Sequence, residues 1–140
     1  MSRERIQRWP LAVIALLMLP TAIQATFAPE SWFEDFPLGR GWVAADGAAY
    51  DEHLVRDVGV LFLALIVVTT WSVWRQEAMT IVAAAWMVQG LFHFGYHVGH
   101  LDGLDTVDQV GLTGSLVSIP VLAALSLWAG LRPAPANEGM

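Results

Sequence analysis

A chain of 140 residues that is 56% hydrophobic, with a mean hydropathy of +0.53, is too apolar for an ordinary soluble domain of its length. Its net charge of −6 argues against nucleic acid as a partner. Cysteine is absent, which excludes a disulfide framework and any thiolate metal site, and all seven basic residues are arginine.

Taken in order, Arg3, Arg5 and Arg8 precede an apolar segment expected as a helix over about residues 9–27, around the length needed to cross a bilayer. A basic start, an apolar run and small residues near Ala25 also describe a secretory signal peptide. Ile23 sits three before a cut after Ala25 and makes a poor cleavage site, so a retained helix is expected. Residues 28–52 are polar and punctuated by Pro29, Pro37, Gly39, Gly41 and Gly47, yet they carry Trp32, Phe33, Phe36, Trp42 and Tyr50. Aromatic side chains favour the headgroup zone, so this loop is expected to lie on the membrane surface or to cap the helices.

A second span is expected over about residues 54–74, with Asp51 and Glu52 suited to its N-terminus. Only Arg75, Gln76 and Glu77 separate it from a third span over about residues 78–97, and so short a connection predicts antiparallel neighbours. A loop follows, then a fourth span over about residues 107–131, with Pro133 and Pro135 closing the chain in a polar tail. Pro20 and Pro120 are expected to kink the helices that hold them. The sequence thus predicts an all-α protein, a single four-helix transmembrane bundle over residues 1–140. Arg3, Arg5, Arg8, Arg75 and Arg132 fall on the side of the termini, and only Arg40 and Arg56 on the other. The excess places both termini in the cytoplasm and the aromatic-rich loop between the first two helices outside the cell, in a plasma-membrane protein.

In that frame all four histidines collect at the outer end, with Glu52, Asp57 and Asp108. His93, His97 and His100 end the third helix. At about 100° per residue, offsets of four and seven set them within an arc of about 60°. Gln89 lies on the same face one turn earlier, and His53 and Asp57, four apart, begin the second helix at the same depth. Imidazole suits zinc, copper and iron, and several histidines with a carboxylate are a common ligand set, so His53, Asp57, His93, His97 and His100 are candidate metal ligands. Glu52 is a candidate general base. Haem is the weaker reading. It needs one histidine from each of two helices and a cavity larger than four short helices readily supply. The opposing reading is a structural polar network, since polar groups inside a membrane must be satisfied somehow. Gly111 with Ser115 and Gly114 with Ser118 are small-residue pairs that permit close helix approach. Of the residues on that face only Asp108 is read beyond plain packing.

Phe-Glu-Asp-Phe-Pro at 33–37, Trp42-Val with Asp46-Gly47, Glu-His-Leu-Val-Arg-Asp-Val-Gly at 52–59, and His93-x3-His97-x2-His100-Leu-Asp-Gly103 together resemble a group of small four-helix bacterial membrane proteins of actinobacterial type. The resemblance covers about residues 27–112. It implies the topology and treats the segments around Glu52–Asp57 and His93–His100 as one unit, with no reaction or substrate attached.

Three function classes stay open: a metal-dependent membrane enzyme or redox protein, a metal or ligand binder without catalysis, and an accessory subunit of a larger membrane complex or homo-oligomer. A proton or ion path would need polar residues through the full depth, and the cytoplasmic half of each span is nearly bare of them.

Overall fold

The computed structural model describes residues 2–45 and 47–132; Asp46 and the tail with Pro133 and Pro135 lie outside the described residues. The described residues form five helices and no strand: α1 (Arg3–Phe27), α2 (Pro29–Asp35), α3 (Glu52–Arg75), α4 (Met79–Val98) and α5 (Thr106–Leu131). Three of them, α1, α3 and α5, are long and apolar enough to cross a membrane. α4 falls outside that set, its C-terminal half being diluted by Gln89, His93, Tyr96 and His97.

The long helices match the four expected segments, with their ends shifted for local reasons. α1 starts at Arg3 instead of residue 9, because Ser2 caps it by accepting from the Arg5 N–H. α3 and α5 start behind Asp51 and Asp105, whose carboxylates accept from Leu54 N at 3.1 Å and Asp108 N at 2.8 Å. The helix runs on through Pro10, Pro20 and Pro120. The segment read as loop between the first two spans contains α2. Pro29 opens it, fixing a helical φ and needing no N–H partner.

The neighbour relations differ from the hairpin expectation. α3 lies along α1, α4 lies along α5, and α1 packs on α5, while α3 and α4 touch each other far less. Small residues decide this. A Cβ on Gly59 would stand 2.6 Å from the Thr26 backbone nitrogen, so only glycine lets α3 lie so close to α1. Gly90 does the same for α4, where a Cβ would meet Pro120 Cδ at 2.8 Å. A short turn makes α3 and α4 successive, but it gives them no such close fit.

The space between them is filled by Trp86, fully buried, which stacks on Phe62 at 6.4 Å and donates from Nε1 to Thr69 Oγ1 at 2.8 Å. Around it Leu11, Ile14, Ala22, Ile66, Val82, Ala83, Ile119 and Ala123 form the main core. At the terminus end Gln7 is buried, donating to Thr80 Oγ1 at 2.9 Å, while its carbonyl accepts from Ser126 Oγ at 2.9 Å. Arg3 donates to the carbonyls of Ala129 and Gly130, two of the orphan acceptors at the end of α5.

Candidate functional site

The end of the bundle opposite the termini gathers the polar groups singled out above, and the fold sorts them into pairs. At the start of α3, His53 Nε2 meets Asp57 Oδ2 at 3.1 Å, with both side chains mostly in solvent. Glu52 Oε1 accepts from Arg56 Nε at 2.8 Å, and the same guanidinium reaches across to the Thr26 carbonyl at 2.6 Å. Arg56 therefore ties α3 to the end of α1, beside the Gly59 contact, and an exposed i,i+4 pair of this kind adds little by itself.

The aromatic-rich segment is fastened on the other flank. Asp108, buried in the first turn of α5, accepts from Arg40 Nε and from Trp42 Nε1, the latter at 2.8 Å. The indole lies over Gly111, where a Cβ would meet it at 3.0 Å. The hydrogen bond first, and then the charge of Asp108, hold the Arg40 guanidinium protonated above its already high ordinary pKa. The segment is thus a fixed cap, with Phe33 packed on Tyr50 at 5.4 Å beneath it. We expect Asp108→Asn to release the cap, leaving Arg40 without a counter-charge. Backbone amides at 39–45 should then exchange faster while those in the middle of α3 do not, and unchanged exchange at 39–45 would show that another contact holds the segment.

On α4 the buried residues Met79, Val82, Ala83, Trp86 and Gly90 mark the inward face, and its continuation by three and four residues reaches His93 and His97. Both are half-buried, and their rings meet edge to face at 4.7 Å between centroids. Among the described residues His93 makes no hydrogen bond. One turn deeper, the buried Gln89 Oε1 has no partner either. His100 has left the stripe: it is exposed, stacked on Tyr96 at 4.2 Å, with Nδ1 at 2.7 Å from the Tyr96 carbonyl.

Of the five candidate ligands the fold therefore brings His93 to His97 and His53 to Asp57, and His100 turns to Tyr96. Among the described residues no three His, Asp or Glu side chains gather where they could hold one ion. Glu52 has Arg56 as its partner. The face expected to join Asp108 to Gly111, Ser115 and Ser118 splits: the first two lie under the cap, and the serine hydroxyls bond carbonyls of their own helix.

Sequence reasoning missed the Arg40–Asp108–Trp42 clamp, though an Asp three residues into a helix already capped by Asp105 is a carboxylate in need of another partner. Comparison with family models, curated proteins and solved structures yields no match.

Proposed function

We propose that α1, α3, α4 and α5 cross the plasma membrane with both termini in the cytoplasm, and that the outer end holds an exchangeable transition metal ion between His93 and His97. The arginine distribution supports the orientation. Of the most apolar 18-residue windows of α1, α3 and α5 only 33%, 22% and 28% is buried, so most of each span offers its apolar surface outward, as lipid requires.

The observation that carries the metal reading is His93, an imidazole on the inward face of α4, half-buried and without a hydrogen bond, with a second imidazole one turn away. Histidines at i and i+4 place two nitrogens on one side of a helix, a spacing from which rotation about χ1 and χ2 brings them to one ion. Water would complete the coordination, and Gln89 Oε1 supplies an unpaired acceptor one turn deeper. Two protein donors make a labile site of moderate affinity. That suits delivery or sensing better than catalysis, and the order of stability among divalent ions favours copper.

An ion bound only by the folded state adds about 2.7 kcal/mol at a hundredfold excess over its dissociation constant. Copper or zinc should therefore raise the Tm of the detergent-solubilised protein, with a smaller gain as protons compete in acidified buffer. His93→Ala and His97→Ala should abolish the gain; His100→Ala should leave it. A second reading is favoured by how completely Glu52, His53, Arg56, Asp57 and His100 are partnered by residues four away in the chain, with Arg56 bonding the end of α1 as well. There the polar end only fastens the cap of an accessory membrane subunit. It requires the Tm of wild type to ignore both metal and chelator.

A further inference from the structure

At the terminus end, five arginines face Glu4 and Glu77 among the described residues. Three of the arginines are engaged. Arg3 bonds the last carbonyls of α5, Arg132 lies 3.7 Å over the Trp128 ring, and Arg75 lies over Trp71 and pairs with Glu77 at 3.9 Å. Arg5 and Arg8 are different: among the described residues neither side chain has a hydrogen bond or an ion pair. Both line a groove of about 420 Å³ that opens outward between α1 and α3. Its other walls are Trp9, Ala12 and Val73. Arg5, Arg8, Trp9 and Ala12 stand at offsets of three, four and seven, one stripe of α1 that passes from two charges to an apolar floor.

We propose that this groove binds an anionic phospholipid, its phosphate between Arg5 and Arg8 and its acyl chain against Trp9, Ala12 and Val73. Guanidinium forks suit a phosphodiester, and basic clefts between spans at the cytoplasmic face are where such headgroups are held. A free anion would use the arginines but not the apolar walls, whereas a lipid uses both. The inference rests on the membrane-spanning reading, since α1 and α3 must present the groove to a bilayer.

The test takes the full chain in neutral detergent and titrates dioleoyl-phosphatidylglycerol or dioleoyl-phosphatidylcholine under native mass spectrometry. Phosphatidylglycerol should bind at least about tenfold more tightly. At about 1 kcal/mol per arginine, Arg5→Gln with Arg8→Gln should weaken it about thirtyfold. Arg75→Gln with Arg132→Gln removes the same charge and should weaken it by less than about threefold. Ala12→Trp, which fills the groove and alters no charge, should also weaken binding. Equal losses in the two double variants would replace the groove by diffuse surface charge and overturn the proposal, as would tight binding by a folded Ala12→Trp protein. Inorganic phosphate that displaces the lipid at millimolar concentration would make this a simple oxyanion site and overturn it too. A carbonate wash of native membranes separates the premises: protein released by the wash removes the spanning reading, while protein retained but indifferent to headgroup removes the lipid site alone.

Discussion

Trp86→Ala is expected to lower the stability of the folded bundle by about 3–5 kcal/mol, the usual cost of emptying a large aromatic site that neighbours cannot refill. The site has no solvent exposure and no close α3–α4 backbone packing around it, so little can collapse into the void. In a bilayer the loss is one of dispersion contacts more than of water exclusion, because lipid tails are as apolar as the core. Trp86→Phe separates volume from polarity. It keeps most of the stack on Phe62 and removes the Nε1 donor, while Thr69 retains its own bond to the Leu65 carbonyl at 2.7 Å. Hydrogen bonds between membrane helices average about 0.6 kcal/mol, so this variant should lose no more than about 2 kcal/mol. Unfolding in mixed micelles with rising dodecyl sulfate measures both. Equal losses in the two variants would mean that the indole's hydrogen bond, not its bulk, joins α4 to α3.

The second large effect is expected at Gly59. A valine there must push its branches into the Thr26 backbone nitrogen, which a Cβ alone would approach to 2.6 Å, and into Thr26 Oγ1 at the same distance. Backbone cannot rotate away as a side chain can, so α3 must move off α1, with a cost of about 1–3 kcal/mol or more. The move also strains the Arg56 bond to the Thr26 carbonyl. Gly95 on α4 makes the contrast, since a Cβ there meets nothing within 4 Å. Gly95→Ala should stabilise by up to about 1 kcal/mol through helix propensity alone. If Gly59→Val proved as harmless as Gly95→Ala, the close approach of α1 and α3 would not be what sets the helix order.

The contrast between these glycines marks where the sequence stops being informative. Run length and the acidic pair Asp51 and Glu52 announce the long helices, because spanning length and caps are local properties; the Asp105 cap emerged only with the structure. The shared face of His93 and His97 is equally local, a matter of helical period. Which helix packs on which is not. Gly59 meets Thr26 and Gly90 meets Pro120 across about thirty positions of sequence, and nothing near any of the four residues names its partner. α2 was hidden for another reason: its seven residues are too few to show a period, and their aromatics read equally well as a surface loop. The candidate site was half legible. Depth and face could be read, but α3 packs along α1 and hardly touches α4, so His53 and Asp57 stand away from the stripe they were expected to join and pair with each other one turn apart.

The bonds from Arg3 to the end of α5 also impose an order in time. Arg3 and Ala129 are 126 residues apart, about 6 to 25 s of synthesis at about 5–20 residues per second. For all of that interval after Phe27, α1 is complete while Ser126, Ala129 and Gly130 have not been made, and Gln7 must also wait for Thr80. α1 precedes α3, α4 and α5 in the chain, yet it is locked only when α5 is complete. Until α5 arrives it is held by α3, through Gly59 and Arg56, and by the Gln7–Thr80 bond to α4, and a nascent chain halted before Ser126 leaves the Gln7 carbonyl without its serine donor.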